Sequence, residues 1–238
     1  MRLPVRQPVR LGVVRGLVLW LKFDEGTGLK AYDLSQYRNH GTIHGATWTQ
    51  GKFGKALSFD GVDDYVEVPD SASLDITDEI TIEAWVNVRE KDGEQYPVQK
   101  HGAYGMFVRT DMYNGGFWWN IWWEVEGPEW KYVNNLNPLF LNKWCHLVWT
   151  FDGTYVKSYV NGELKGTWDR SGRKIAVSAY PLYVGQSGGG SWFNGTIDEV
   201  RIYNRALSEE EIKRLYWQVV RIMRDLSLIH ISEPTRPY

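Results

Sequence analysis

The middle of the chain alternates between apolar and other residues with the period of a β-strand. Residues Ile80–Val88 show the pattern most clearly, since isoleucine, alanine or valine occupies every second position. Successive side chains of a strand point to opposite faces, so this segment is predicted to be a strand with one buried face. Similar runs, rich in β-branched and aromatic residues, predict further strands at residues 16–23, 56–59, 65–68, 144–151, 155–160 and 182–184.

Turn and helix signals complete this pattern. Asp152-Gly153 and Asn161-Gly162 are typical of β-hairpin turns. Ser208 followed by Glu211 matches a capping box, and apolar residues then recur at helical spacing as far as Met223. We therefore predict an amphipathic helix over residues 208–225, either docked on the domain or leading to a neighbouring one. Many strands and one terminal helix favour an all-β fold, an antiparallel two-sheet jelly-roll sandwich.

Composition narrows the class of protein. A chain of 238 residues can bury a core without crosslinks, and its single Cys allows no internal disulfide. A net charge of -2 argues against nucleic-acid binding, which needs a concentrated basic face. No apolar run approaches the roughly 20 residues that membrane insertion requires. The 13 Trp and 14 Tyr residues instead predict an aromatic surface for a ligand.

The two ends of the chain differ from its middle. Residues 1–16 carry four Arg and two Pro but lack the apolar core of a secretory signal, so we interpret them as a disordered basic linker or a misplaced start. The string LSLIHISEPTR, at residues 226–236, resembles the translation of a sequencing adapter. We therefore interpret residues 226–238 as non-native, and we assign one jelly-roll domain to residues 17–207.

Several motifs resemble the laminin G-like jelly-roll family of the concanavalin A-like lectin/glucanase superfamily. They follow the expected order and include LWLKFDEGTG at 19–28, GKFGKALSFDG at 51–61, WCHLVWT at 144–150 and GTIDEVRIYNRALS at 195–208. The resemblance implies an accessory binding or interaction module of a larger microbial protein, placed outside the cell or at its surface. It does not identify a ligand, because this sandwich also occurs in lectins, adhesion modules and glycosidases.

The densest aromatic segment is residues 117–126, FWWNIWWEVE. Strand alternation assigns its odd-numbered residues, Phe117 to Val125, to the core and its even-numbered residues to the other face. Two indoles separated by an amide suit a sugar, because rings stack on its apolar faces and polar groups bind its hydroxyls. Including neighbouring strands, we predict that a polysaccharide or other glycan is bound by Trp85, Trp118, Asn120, Trp122, Glu124 and Trp130. The alternative is an architectural or adhesion module whose Trp face packs on an adjoining domain.

Acidic residues beside Gly-rich turns predict a structural calcium ion. Carboxylate and backbone carbonyl oxygens supply the six to eight ligands that calcium takes, and Asp24, Asp60 and Asp198 are the candidate ligands. The family resemblance implies that the first and last strands are adjacent, so that Asp24 and Asp198 share the ion. The alternative is that these residues cap turns or pair with Arg201 or Arg205.

Catalysis is a third hypothesis. Some glycosidases with this sandwich carry Glu-x-Asp-x-Glu on one strand, and Glu124 and Glu126 have a related spacing. The central Asp is absent, however, and Gly127-Pro128 is expected to end the strand. We therefore predict a non-catalytic module with no catalytic residues, and we rank a glycoside hydrolase as the weaker alternative.

Overall fold

The computed structural model describes residues 15–90, 93–110, 116–135 and 141–217. Within these ranges the chain forms two antiparallel sheets and one helix near the C-terminal end, which confirms the predicted all-β sandwich. The predictions for residues 1–14 and 218–238 lie outside the described residues. Among the described residues, no helix is long and apolar enough to cross a membrane.

The first sheet, sheet I, has eight strands in the order β14-β13-β12-β7-β16-β5-β4, with β1 paired to β16. Its strands, in chain order, are β1 (Leu17–Leu21), β4 (Thr47–Gln50), β5 (Lys55–Asp60), β7 (Ile80–Val88), β12 (Trp144–Phe151), β13 (Tyr155–Val160), β14 (Glu163–Asp169) and β16 (Asn194–Tyr203). The pairing of β1 with β16 places the first and last strands side by side, as the family resemblance implies.

The second sheet, sheet II, also has eight strands, in the order β11-β10-β9-β8-β15-β6-β3-β2. Its strands, in chain order, are β2 (Lys30–Ala31), β3 (Gly41–His44), β6 (Tyr65–Val68), β8 (Glu94–Lys100), β9 (Tyr104–Arg109), β10 (Gly116–Trp123), β11 (Gly127–Asn135) and β15 (Leu182–Val184). A 3-10 turn, Ala72–Leu74, lies outside both sheets.

The core fills the space between the two sheets. The inner face of β7 supplies Ile82 and Val86 to this core. Trp149 of β12 enters it from sheet I and Trp119 of β10 enters it from sheet II, and both are fully buried. The indole Nε1 of Trp149 donates a hydrogen bond to the backbone carbonyl of Gly105, at 3.0 Å. Since β12 belongs to sheet I and β9 to sheet II, this bond joins the two sheets across the core.

The predicted core face of residues 117–125 is confirmed for its first four members but wrong for Val125. Phe117, Trp119, Ile121 and Trp123 are buried, whereas Val125 is 92% exposed. The reason is that β10 ends at Trp123 and residues 124–126 form a turn, so the chain returns immediately as β11. Alternation predicts a face only while the strand lasts.

A helix at residues 209–217, here α1, covers part of the outer face of sheet I. Its capping box is confirmed, because the Ser208 N–H donates to Glu211 Oε2 at 2.9 Å and the Glu211 N–H donates to Ser208 Oγ at 3.3 Å. Ile212 and Leu215 are buried in a second apolar cluster with side chains from β12, β13 and β16. The described part of the helix is therefore docked on the domain.

Candidate functional site

A single row of residues crosses the whole outer face of sheet II. Paired positions on neighbouring strands place these residues side by side, from the β11 edge to the β2 edge: Trp130, Asn120, Gly105, Gln99, Tyr183, Glu67, Thr42 and Lys30. Directly paired residues point to the same face of a sheet. We call this set the cross-strand row, and two of the predicted ligand-binding residues, Trp130 and Asn120, belong to it.

The middle of the row contains a pair of amide side chains. The Nδ2 of Asn120 donates to the Oε1 of Gln99 at 2.9 Å, across the position of Gly105. A Cβ on Gly105 would lie 2.2 Å from that Oε1, so the two amides meet because this position has no side chain. Although both residues lie on an outer face, they are only 1% and 0% exposed, and larger neighbouring side chains therefore enclose them.

Each amide of this pair has one polar atom without a partner. Among the described residues, neither Gln99 Nε2 nor Asn120 Oδ1 makes a hydrogen bond. A buried polar group without a partner costs about 1–3 kcal/mol, so native structures rarely keep one without a reason. The amide pair thus offers one donor and one acceptor to a polar ligand.

Aromatic rings flank the row on both sides near β10. On one side Trp118 stacks on Phe107, with ring centroids 5.2 Å apart and an interplanar angle of 6°. On the other side the ring of Trp122 lies 5.3 Å from that of His101, which in turn contacts the exposed Tyr180 at 5.1 Å. Trp118 and Trp122 are half-buried and Trp130 is 50% exposed. The predicted residues Trp118, Asn120, Trp122 and Trp130 therefore share one surface.

A second aromatic group flanks the far half of the row. His44 and Tyr65 stack with centroids 4.3 Å apart, and Tyr65 also contacts Tyr183 at 5.9 Å and Trp192 at 5.8 Å. Because β6 and β10 run in the same direction, Tyr65 and Trp118 lie on the same side of the row, each two residues before a row member. Aromatic side chains thus follow this side at both ends of the sheet.

The prediction that Trp85 shares this surface is wrong. Trp85 lies on the outer face of β7, in sheet I, where it is 2% exposed. Its ring is stacked between His146, at 5.0 Å, and Tyr216 of α1, at 5.7 Å. Strand alternation placed Trp85 correctly on the face away from the core, but that face belongs to the other sheet and is covered by the helix.

Charged side chains surround Trp85 beneath the helix. The buried carboxylate of Glu83 contacts Arg201 at 2.6 Å and the Nε2 of His146 at 3.0 Å. Burial opposes ionisation of Glu83, but the charge of Arg201 and the hydrogen bond with His146 outweigh it and hold the pKa of Glu83 below its usual value. This network lies under the helix, where Glu83 and His146 are fully buried and Trp85 is 2% exposed.

Glu124 does not extend the site along β10 as expected. It lies in the exposed turn after β10, with Glu126, and Glu126 is paired with Arg173 at 2.6 Å. Gly127 is the first residue of β11 and does not end β10, which stops at Trp123. The carboxylates of Glu124 and Glu126 therefore lie on the turn between β10 and β11. Within the cross-strand row the one carboxylate is Glu67, and glycoside hydrolysis generally requires two.

Asp24 and Asp198 flank the same hairpin loop, residues 51–54, between β4 and β5. Asp198 Oδ2 accepts the Phe53 N–H at 2.9 Å, and Asp24 Oδ1 accepts the Lys55 N–H at 2.9 Å. Asp24 also pairs with Lys22. Asp198 is fully buried, its Oδ1 has no partner among the described residues, and burial raises its pKa to about 8. A buried carboxylate with an unused oxygen is a donor that suits a hard cation.

Asp60, the third predicted calcium ligand, lies elsewhere. It is the last residue of β5, whereas Asp24 binds the first, and a six-residue strand spans about 17 Å. Its neighbours are Asp63 and Asp64, whose carboxylate oxygens lie within 4.8 Å of its own. Asp60 accepts the Val62 N–H at 2.8 Å, which is the turn-capping role of the alternative prediction.

Six members of the row were missed from the sequence: Gln99, Gly105, Tyr183, Glu67, Thr42 and Lys30. Their positions depend on which strands are neighbours. β8, β9 and β10 follow one another both in the chain and in the sheet, whereas β15 is distant in the chain from its two neighbours, β8 and β6. The one local signal is Gly105, because a glycine inside a strand often marks a close approach to another group. That signal indicates an unusual position but does not identify the amides on either side.

Comparisons with known proteins agree with this fold. A family model described as the concanavalin A-like lectin/glucanases superfamily matches residues 60–213. The structure resembles domain 4 of AbnA, a GH43 extracellular arabinanase from Geobacillus stearothermophilus solved with arabinotriose. Their TM-score is 0.67 at 21% identity, covering 84% of this chain and 98% of that one. Comparison with curated protein sequences gave no match.

Toxin binding domains have the same fold over part of their length. The binding domain of paraclostridial mosquitocidal protein 1 has a TM-score of 0.68 at 18% identity, covering 84% of this chain and 52% of that one. The ligand-binding domain of botulinum neurotoxin serotype D, solved with N-acetylneuraminic acid, gives 0.67 at 16% identity, covering 85% and 51%. The chain thus spans about half the length of these two toxin domains.

Proposed function

Because the chain belongs to the laminin G-like family of the concanavalin A-like lectin/glucanase superfamily, we propose that it is a non-catalytic carbohydrate-binding module. The ligand surface is the outer face of sheet II around β10. The arabinanase domain and the neurotoxin domain solved with sugars are consistent with a glycan ligand. The observation that carries the proposal is the amide pair of Asn120 and Gln99, set between the rings of Trp118, Trp122 and Trp130.

The chemistry of this surface suits a sugar. The indole of Trp130 offers an apolar surface for the C–H face of a sugar ring, and the free donor and acceptor of the amide pair match its hydroxyls. Both amides are enclosed, so a ligand reaches them only when a side chain that covers them moves. The lone carboxylate of the row supports binding without hydrolysis.

A glycan array, followed by titration calorimetry on the glycans that bind, tests the proposal. We expect Trp122→Ala and Trp130→Ala each to weaken binding roughly tenfold, which corresponds to about 1.4 kcal/mol. Trp217→Ala is the matched control, since Trp217 is 54% exposed on α1, over the opposite sheet. The absence of binding by the folded protein would contradict the proposal and favour an architectural module. If Trp122→Ala and Trp130→Ala bound as tightly as the wild type, the binding site would not be on the outer face of sheet II.

We also propose that Asp24 and Asp198 hold a structural calcium ion beside the loop at residues 51–54. The support is the unused Oδ1 of Asp198. In addition, both carboxylates accept hydrogen bonds from backbone N–H groups of the same loop region, at Phe53 and Lys55. When bound, calcium would supply positive charge to an otherwise unpaired buried carboxylate and fasten the loop to the strand. Asp60 is too far along β5 to take part.

Thermal melting with calcium and with chelator tests the calcium proposal. We expect calcium to raise the melting temperature of the wild type and to have no effect on Asp198→Asn. In chelator the variant should be at least as stable as the wild type, because the amide removes a buried carboxyl without a full set of partners. Asp60→Asn is the control and should keep the calcium response. A wild-type midpoint that ignores calcium would exclude the ion.

We further propose that the module works outside the cell or at its surface, as part of a longer protein. The support is that the arabinanase of similar fold is extracellular and carries this fold as one of several domains. The coding sequence on either side of this segment tests the proposal. We expect it to continue in frame into a secretion signal and at least one further domain, and stop codons on both sides would contradict this.

A further inference from the structure

We propose that a cavity at one end of the sandwich binds a sugar that carries a free amino group, at a site separate from the outer face of sheet II. The cavity has a volume of about 640 Å³, and small-ligand pockets usually measure about 300–1,000 Å³. It lies between the loop before β3, the segment that joins β6 to β7 and the residue after β16. Its described lining residues include no member of the cross-strand row, so the inference adds a second site and does not depend on the first.

One wall of the cavity presents hydroxyl and amide groups that are already fixed in place. Ser71 Oγ donates a hydrogen bond to Asn39 Oδ1 at 2.9 Å, and Asn39 Nδ2 donates one to Ser73 Oγ at 2.8 Å. The backbone N–H of Asn39 donates to the buried carboxylate of Asp33 at 2.8 Å, which anchors this wall to the domain. Hydroxyl and amide oxygens accept more than one hydrogen bond, so the wall can also receive sugar hydroxyls. Because these groups are held in position, little protein order has to be gained on binding.

Carboxylates give the cavity a negative charge. Asp75, Asp78 and Glu79 line it, whereas no lysine or arginine in the described part of the chain does. The hydrogen bond from Lys174 holds the pKa of Asp78 below its usual value, so this carboxyl stays ionised. Asp75 Oδ1 makes no hydrogen bond with a described residue and lies 3.5 Å from the Nζ of the buried Lys100, which a second carboxylate shares.

This charge selects among possible ligands. An anionic sugar, such as a uronic acid, would be repelled by the carboxylates that line the cavity. An ammonium group would instead donate charge-assisted hydrogen bonds to them, and these are roughly twice as strong as hydrogen bonds between neutral groups. The cavity therefore favours a ligand with positive charge.

An aromatic ring completes the set of groups that an amino sugar requires. Tyr37 lines the cavity and is 43% exposed. Its ring offers an apolar surface for the C–H face of a sugar and a π face that attracts an ammonium group. A simple amine would use only the carboxylates and the ring, and a neutral sugar would leave the charge of the carboxylates unmatched. A sugar with a free amino group uses the ring, the hydroxyl wall and the carboxylates together.

Titration calorimetry with glucosamine and its β-1,4-linked dimer, in mildly acidic buffer that keeps the amine protonated, tests the inference. N-acetylglucosamine and its dimer are the matched control ligands, because acetylation removes the positive charge and keeps the ring. We expect the amine-bearing dimer to bind roughly tenfold more tightly than the acetylated dimer, and added salt to weaken it by screening the charges. Glu79→Gln, which removes one exposed charge, and Tyr37→Ala, which removes the ring, should each weaken the amine-bearing dimer roughly fivefold.

The control variant and the contradicting outcomes separate this inference from the proposed function. Glu163→Gln changes an exposed carboxylate on β14 that does not line the cavity, and it should bind the dimer as the wild type does. Equal affinity for the two dimers, or no binding of the amine-bearing dimer, would overturn the inference. Binding that ignores Glu79→Gln and Tyr37→Ala but is lost in Trp122→Ala would also overturn it, while the proposed function would stand. If the amine-bearing dimer binds as expected but no other glycan binds, the proposed function fails and this inference stands.

Discussion

Gly105 is the residue on which the geometry of the candidate site depends. It separates Asn120 from Gln99 in the cross-strand row, and a Cβ there would approach the Gln99 side chain to 2.2 Å and the Val98 carbonyl to 2.8 Å. The second atom belongs to the backbone and cannot rotate away. Any larger residue must therefore push the amides apart or displace β8.

We expect Gly105→Ala to lower the free energy of unfolding by about 1–3 kcal/mol, as overpacking does, and to weaken glycan binding through the displaced amides. Urea unfolding and titration calorimetry measure the two effects. Gly189→Ala is the control, because a Cβ at Gly189 would meet its nearest neighbour at 3.7 Å in an exposed loop. A folded Gly105→Ala protein that binds as tightly as the wild type would show that the amide pair has no part in recognition.

Part of this site could be predicted from the sequence, because alternation along one strand determines which of its residues share a face. Trp118, Asn120 and Trp122 were assigned to one face of one strand, and the structure confirms that they share it. Gln99 joins them through the register of β8 and β9 with β10, and Tyr183 joins them through pairing with the distant strand β15. That pairing is decided by the packing of the whole sandwich, which no local pattern contains.

The helix α1 is the element that explains the wrong prediction for Trp85. Alternation places Trp85 and Glu83 away from the core, but it does not say which sheet β7 joins or what covers that face. The predicted amphipathic helix is confirmed over residues 209–217, while residues 218–225 of that prediction lie outside the described residues; its docking surface was not predicted. Once Ile212, Leu215 and Tyr216 pack over sheet I, the outer face of β7 becomes a second core and not a ligand surface.

Removing one apolar contact of α1 should therefore affect stability and not binding. We expect Ile212→Ala to lower the free energy of unfolding by about 2–5 kcal/mol, because Ile212 is fully buried against sheet I. Arg214→Ala, at an exposed position of the same helix, should change it by less than about 0.5 kcal/mol. Urea unfolding measures both values. If Ile212→Ala were as mild as Arg214→Ala, the helix would not be docked in solution.

In the whole molecule, the sandwich architecture was predictable while the pairing of its strands was not. Turn residues, alternation and the order of family motifs were enough for two antiparallel sheets and for strands such as Ile80–Val88 and Trp144–Phe151. The order β11-β10-β9-β8-β15-β6-β3-β2 joins segments from both halves of the chain. The separation of Asp60 from Asp24 follows from the contacts of β5 in sheet I, since Asp60 is the last residue of β5 whereas Asp24 bonds to its first residue, Lys55.

The two sheets are tied to each other directly beneath the candidate site. Trp149 of sheet I donates its indole N–H to the carbonyl of Gly105, the residue between the two amides. Trp119 is an equally buried core indole, but its Nε1 has no hydrogen-bond partner among the described residues. Replacing Trp149 by Phe therefore removes a hydrogen bond, whereas replacing Trp119 by Phe removes none that the described residues show.

We expect Trp149→Phe to be less stable than Trp119→Phe by about 0.5–1.5 kcal/mol, the net contribution of one hydrogen bond. Both changes remove the same ring atoms from the core, so the difference isolates the bond between the sheets. Because that bond holds the Gly105 carbonyl, Trp149→Phe should also loosen β9 and weaken glycan binding, although Trp149 lies in the opposite sheet. Urea unfolding and titration calorimetry on the two variants measure both effects. Equal stability would mean that core packing alone positions the two sheets, with no contribution from this bond.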